Sequence, residues 1–178
     1  EMIGVNAKNH LSYFMPGTAF HYSNTGYNLL AIIIERVSGK RYDQFLQDEF
    51  LTPLQLKHTT FPYLGTDQKM PTPYEPSWLR IDNTLIPYDD DNMSFAVSEG
   101  NVVKTPGDLA NWADALYGTN KIVNEDFNNQ MIDVLPSYDV NVNYGLGTST
   151  YPEDIGMGHD GIIPGYITIM RYEPISKS

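Results

Sequence analysis

The stretch Tyr22-Ser23-Asn24 combines a phenol with a carboxamide two residues later. In an extended segment residues i and i+2 point the same way, so we expect Tyr22 and Asn24 to face one cleft while Ser23 turns aside. A phenol with a pKa of about 10 is a poor base at neutral pH; lowering this pKa by roughly three units requires about 4 kcal/mol, which nearby cations could supply. Asn24, with donors and an acceptor, could hold a substrate amide.

A second stretch, His159-Asp160-Gly161, brings an imidazole and a glycine into a β-prone part of the chain. Alternation along a strand places His159 toward the cleft and Asp160 away from it. Gly161 has no side chain, so a substrate backbone could approach and pair with the strand edge. Because histidine is only partly charged near pH 7, its support of a phenolate would depend on pH.

Helices are expected to carry the first of these stretches. Apolar residues recur at three and four positions from Tyr27 to Ser38, with Ser23 or Thr25 as the N-cap and a left-handed Gly39 at the end. A second helix is expected from Tyr42 to Phe50, closed by Pro53. The Pro-rich and aromatic residues 52–91 are given no regular structure.

The second half of the chain changes from helical to β patterns. Thr105-Pro106-Gly107-Asp108 predicts an N-cap and first turn, and Asn124 can cap another short helix. After Tyr144, glycines punctuate short β-prone runs, of which Tyr166 to Tyr172 is apolar on both faces. We therefore expect this run to be an inner strand of a covered sheet, with strand partners outside the given sequence.

Composition narrows the classes of partner. The 178 residues carry 22 acidic and 11 basic side chains, a formal charge of -11, which disfavours nucleic acids and anionic lipid. Cysteine is absent, which removes disulfides and thiolate catalysis, and the histidines show no metal-binding spacing. No apolar run reaches about eighteen residues, so we expect no membrane span in this segment. No metal or organic cofactor is expected; an acidic run at residues 89–92 lacks the pattern of a calcium loop.

Four stretches resemble, in order and spacing, the serine β-lactamase and D,D-peptidase superfamily in its class C branch. They are Pro16-Gly17-Thr18 with Tyr22-Ser23-Asn24 and the helix to Gly39; Ser98 to Thr105 with Asp108-Leu109; Tyr144-Gly145-Leu146-Gly147; and His159-Asp160-Gly161 with Pro164-Gly165-Tyr166.

The resemblance implies an α+β, β-lactamase/transpeptidase-like fold: a mostly helical domain over residues 1–137, then part of an antiparallel sheet flanked by helices over residues 138–178. It places Tyr22 and Asn24 beside the family's nucleophile and His159 in a His-x-Gly form of the Lys-Thr-Gly strand motif. It also implies catalytic roles for Tyr22, Asn24 and His159, with Asn24 and Gly161 binding substrate. The acidic Asp160, where small hydroxyl residues are common, leaves the substrate preference open.

The implied activity is acyl-enzyme hydrolysis of D-Ala-D-Ala-type peptides, β-lactams, D-amino acid amides or esters, in a periplasmic or other extracytoplasmic setting. The segment itself does not fix the compartment. No serine in the sequence has lysine three residues on, so the family's Ser-x-x-Lys nucleophile is absent. We therefore expect missing N- and C-terminal parts of the same fold. The alternative is a non-catalytic binding or interaction protein derived from that fold, and a third reading has a separate chain supplying the serine.

Overall fold

A computed structural model describes residues 13–62, 70, 72–88, 96–133, 143–151 and 156–176. The helices are α1 (Asn24–Ser38), α2 (Tyr42–Leu46), α3 (Pro106–Ala113) and α4 (Glu125–Ile132). Helices α2 and α3 continue as π-helical turns over Gln47–Leu51 and Asp114–Gly118. The strands are β1 (Thr59–Thr60), β2 (Trp78–Ile81), β3 (Thr84–Pro87), β4 (Val103–Lys104), β5 (Asn143–Tyr144), β6 (Ser149–Tyr151), β7 (Gly156–Ile163) and β8 (Tyr166–Tyr172).

Helix α1 is bounded by the residues expected from the sequence. Ser23 is extended and its Oγ accepts a hydrogen bond from the Gly26 backbone N at 3.1 Å. Gly39, at a φ of 70°, ends the helix and donates its backbone N–H to Glu35 O. The helix begins at Asn24, three residues before the expected start at Tyr27, because the Ser23 cap satisfies the first turn.

The N-caps of the later helices are also those predicted from the sequence. Thr105 Oγ1 accepts from the Asp108 backbone N, and Asn124 Oδ1 accepts from the Phe127 backbone N. Pro106 follows its cap directly, where a missing N–H costs nothing. The expectation of a helix from Tyr42 to Phe50 is likewise confirmed, in part as π-helix.

Regular structure occurs where none was expected, between residues 52 and 91. Strands β2 and β3 form an antiparallel hairpin whose two-residue turn, Asp82-Asn83, has positive φ at both positions. That is the primed turn favoured between twisted strands, and Asp and Asn tolerate its left-handed backbone. Strand β1 pairs with β4. The expectation was therefore wrong for these segments; the acidic run at 89–92 lies outside the described residues.

The last four strands form one antiparallel sheet in the order β5-β6-β7-β8. The bounds of β8 are those expected, but within the described residues it pairs only with β7 and ends the sheet. Ile167 and Ile169 are exposed there, so the expectation of an inner, covered strand is not met by this part of the chain. The division into domains at residue 137 stays a prediction.

The helices and the sheet meet through α3 and β8. The rings of Tyr117 and Tyr172 lie 6.1 Å apart between their centroids, and Tyr172 is buried. In the first turn of α3, buried Asp108 accepts hydrogen bonds at 2.8 Å from the His58 backbone N and from Thr59 Oγ1, which ties α3 to β1. In the described part of the chain, no helix has the length and apolar character to cross a membrane.

Candidate active site

Two of the sequence-predicted site residues lie side by side. Tyr22 lies two residues before the start of α1, and His159 is on β7. Their ring centroids are 6.2 Å apart, with the planes inclined by 38°. The folding of the sheet beside the start of α1 therefore brings together a phenol and an imidazole that are distant in sequence.

Tyr144 joins this pair and fixes the imidazole. Its phenol oxygen lies 2.8 Å from His159 Nε2, and its ring packs edge-on against both Tyr22 and His159. His159 Nδ1 lies 2.6 Å from the backbone O of Asp160. A carbonyl can only accept, so Nδ1 carries a proton, and in the neutral imidazole Nε2 accepts from the Tyr144 hydroxyl.

The electrostatic setting of Tyr22 differs from the one its expected role requires. Burial raises the pKa of Tyr22 above its usual value, and the nearby Glu99 carboxylate raises it further. Both effects oppose phenolate, since desolvation and a like charge disfavour the ionised form. The described residues therefore do not supply the cations that we expected to lower this pKa.

Glu99 reaches this position because its neighbour Ser98 is anchored to α1. Ser98 Oγ donates to the Tyr27 backbone O at 2.9 Å, and the Ser98 backbone N donates to Asn28 Oδ1 at 3.2 Å. Burial raises the pKa of Glu99, and its Oε2 is buried without a hydrogen-bond partner among the described residues. The docked residues 96–100 thus hold the Glu99 carboxylate near enough to Tyr22 to raise the pKa of its phenol.

Asn24 and Gly161 are not drawn into the same contacts. Asn24 is exposed in the first turn of α1, and within the described ranges no hydrogen bond of its side chain is formed. Gly161 pairs with Thr168, and a Cβ placed on it would meet Thr168 Cβ at 3.8 Å, an ordinary contact. The protein interior thus does not require glycine here, and the substrate-binding roles of Asn24 and Gly161 stay predictions.

Asp160 points to the opposite face of the sheet, as strand alternation predicts. Its carboxylate forms a two-bond ion pair with Arg171, at 2.6 Å and 2.9 Å, and accepts from the Tyr151 hydroxyl at 3.2 Å. The Arg171 guanidinium stacks 3.9 Å from the Tyr151 ring centroid. Asp160 is therefore occupied on the face away from Tyr22.

Tyr144 and Glu99 are members of the site that the sequence did not identify individually. Both fall in stretches that carried the family resemblance, Tyr144-Gly145-Leu146-Gly147 and Ser98-Glu99-Gly100. Their contacts depend on strand pairing and on the docking of residues 96–100 against α1, for which no local sequence signal exists.

Among the described residues, no group of three or more His, Asp or Glu side chains is placed to hold a metal ion.

Comparison with known proteins extends the match to almost the whole chain. Penicillin-binding protein 4* of Bacillus subtilis (strain 168) is 28% identical over 173 residues, which cover 90% of this chain and 38% of that protein. The D-alanyl-D-alanine-carboxypeptidase/endopeptidase AmpH of Escherichia coli (strain K12) is 32% identical over 97 residues, which cover 54% of this chain and 23% of AmpH.

Solved structures give the same fold. The D-amino acid amidase of Ochrobactrum anthropi SV3, complexed with L-phenylalanine amide, superposes with a TM-score of 0.76 at 26% identity, over 94% of this chain and 50% of the amidase. The chain therefore spans half or less of the length of these relatives. The fold is α+β and β-lactamase/transpeptidase-like. The sequence model of the beta-lactamase family matches residues 3–177, and with this geometry and these relatives the chain belongs to the beta-lactamase family of serine hydrolases.

Proposed function

We propose that this chain forms part of a serine hydrolase that acts through an acyl-enzyme on D-Ala-D-Ala-type peptides, β-lactams, D-amino acid amides or esters. A serine attacks the carbonyl carbon, Tyr22 passes the hydroxyl proton to the amine or alcohol that leaves as its bond to that carbon breaks, and water then hydrolyses the acyl-serine ester. His159 supports the developing charge near Tyr22, while Asn24 and the strand at Gly161 hold the substrate. The small-molecule substrate would lie in the crevice between the helical part and the sheet.

The observation that carries this proposal is the placement of the Tyr22 ring beside His159, with Tyr144 holding the imidazole at 2.8 Å. Family membership and the activities for which the amidase and AmpH are named support the same reaction class. These two relatives account for the peptides and the amides in the proposed range of substrates.

In the proposed enzyme the attacking serine belongs to a Ser-x-x-Lys tetrad, which does not occur in this sequence. That tetrad would also bring a lysine close to Tyr22. An ammonium there would oppose the effect of Glu99 and lower the pKa of the phenol, which the described residues alone raise. In the proposed enzyme the same tetrad thus supplies both the nucleophile and the cation.

A specific observation favours a second candidate, a non-catalytic binding protein that keeps the crevice without turnover. The Glu99 carboxylate raises the pKa of Tyr22 and so works against phenolate, whereas a proton-transferring tyrosine needs positive neighbours. The two candidates differ in whether the complete protein turns substrate over.

The test is Tyr22→Phe in a longer form of the protein that carries a Ser-x-x-Lys tetrad, assayed with a D-amino acid amide and a chromogenic β-lactam. We expect kcat to fall by roughly a hundredfold or more, because the proton-transfer group is lost. Tyr13→Phe, at an exposed tyrosine, is the matched control and should leave kcat unchanged. An unchanged rate in Tyr22→Phe would remove Tyr22 from the mechanism, and no turnover in the unmutated protein would favour the binding protein.

A second measurement addresses the 178-residue chain alone. It should form no covalent adduct with a fluorescent penicillin or a serine-directed phosphonate, because it lacks the nucleophile. Stoichiometric labelling would show that a serine of this chain is reactive, and mass mapping of the adduct would identify it.

A further inference from the structure

A cavity of about 150 Å³ lies in the helical part, between α2 with its π-helical turn, strands β1 and β4, and α3. Neither Tyr22 nor His159 lines it, so it is separate from the candidate active site. Its walls are almost wholly apolar, with four aromatic and four aliphatic side chains. Several of these side chains are only half-buried and Val102 is 39% exposed, so the cavity is open to solvent on one side.

The aromatic walls are arranged as edge-to-face pairs. The rings of Tyr42 and Phe61 meet at 5.2 Å and 79°, and those of Phe50 and Trp112 at 5.9 Å and 84°. A planar aromatic guest can continue such packing, since ring edges and faces attract one another in this geometry. A cavity of about 150 Å³ lined by apolar side chains is large enough to bind benzene. Size and wall chemistry thus favour a single aromatic ring.

One charged side chain, Lys104, interrupts the apolar lining. Its Nζ lies 5.9 Å from the centroid of the Trp112 ring, and within the described part of the chain it forms no ion pair. Burial lowers the pKa of Lys104, and the nearby Asp108 carboxylate only partly opposes this. Asp108 is itself engaged by the His58 backbone N and by Thr59 Oγ1. An ammonium in such a setting lacks the close carboxylate that would compensate its desolvation.

We propose that this cavity is a binding site for a small free aromatic carboxylate, with the ring among Tyr42, Phe50, Phe61 and Trp112 and the carboxylate on Lys104 Nζ. The guest supplies the missing anion, and its ring covers apolar side chains of the cavity that would otherwise be exposed to water. Thr59, also in the lining, pairs with Lys104 across β1 and β4, but its hydroxyl already donates to Asp108, so Lys104 is the group that binds the carboxylate. Nothing in the hydrolytic reaction proposed above uses this cavity, so the inference stands independently of it.

The probe is phenylacetate, compared with phenylacetamide, which has nearly the same shape and no charge. Titration calorimetry on the full chain should give one site for phenylacetate and at least tenfold weaker binding of phenylacetamide. Lys104→Met keeps the apolar stem and removes the charge; it should weaken phenylacetate tenfold or more and abolish the difference between the two ligands. Lys121→Met, at an exposed lysine outside the cavity, is the matched control and should bind as the unmutated chain does.

A measurement on the unmutated chain keeps the test valid if Lys104→Met does not fold. Phenylacetate should shift the methyl NMR signals of Leu46, Leu56 and Val102, which line the cavity, and leave that of Ile167 on β8 unmoved. Absence of binding at millimolar phenylacetate, equal affinity for the amide, or shifts confined to residues outside the cavity would each overturn the proposal.

Discussion

The phenol oxygen of Tyr144 lies 2.8 Å from Nε2 of His159, while Nδ1 of the same ring lies 2.6 Å from the backbone O of Asp160. Both ring nitrogens are thus engaged, one by a side chain from β5 and one by the backbone of β7. An imidazole held at both nitrogens has a defined tautomer and a defined orientation toward Tyr22.

Tyr144→Phe should leave the Nδ1 proton of His159 in place and release Nε2. At about pH 9, where an ordinary histidine is neutral, we expect the ¹⁵N signal of Nε2 to move toward the value of a nitrogen without a hydrogen bond. Tyr151→Phe is the control, because that hydroxyl bonds to Asp160 instead. An Nε2 signal unchanged in Tyr144→Phe would contradict the hydrogen bond described here.

Glu99→Gln should lower the pKa of Tyr22. The Glu99 carboxylate raises this pKa, but burial is the larger cause, so the value should stay above that of a free phenol after the substitution. Titration of Tyr22 labelled with ¹³C at Cζ measures the change. Glu125→Gln, in the exposed first turn of α4, should have no effect on Tyr22; an unchanged or higher pKa in Glu99→Gln would refute the coupling.

The features that could be predicted from the sequence are those encoded by neighbouring residues. Ser23 and Gly39 mark the ends of α1 because a cap and a left-handed glycine act within one turn. The hairpin at Asp82-Asn83 was missed although its two-residue turn is a local signal, because the surrounding prolines and aromatics favoured irregular structure. The Tyr144–His159 contact could not be foreseen, since it depends on the order and register of β5, β6 and β7. The charge of Glu99 beside Tyr22 was also missed, because it depends on the docking of residues 96–100 against α1.

Asp108→Ala should destabilise the protein by about 2 to 3 kcal/mol, because it leaves the His58 backbone N–H and the Thr59 hydroxyl without their acceptor. Urea unfolding followed by circular dichroism measures the loss. Asp126→Ala, at an exposed position of α4, serves as the comparison and should cost far less. Equal losses at the two positions would show that the buried carboxylate does not join α3 to β1 as described.

Asp160→Asn should have a small effect that depends on pH. Arg171 is the main cause that lowers the pKa of Asp160, so the ion pair stabilises the fold above the usual carboxyl range, and this contribution disappears as pH falls through the lowered value. The Asp160 side chain is 44% exposed, so we expect a loss of about 0.2 to 1 kcal/mol at neutral pH. A double-mutant cycle with Arg171→Met, measured at neutral pH and again in acid, gives the coupling free energy between the two side chains. A coupling free energy that grows in acid would contradict this prediction.

The exposed isoleucines of β8 bear on how the chain behaves when concentrated. Ile167 and Ile169, together with Ile162 on β7, are between 66% and 78% exposed on one face of the sheet, and the outer side of β8 has no strand beside it in the described part of the chain. An unpaired β-strand edge next to exposed apolar side chains is a template to which a second molecule can add its own strand. The 178-residue chain should accordingly self-associate as its concentration rises. The substitution Ile167→Lys should keep the chain monomeric.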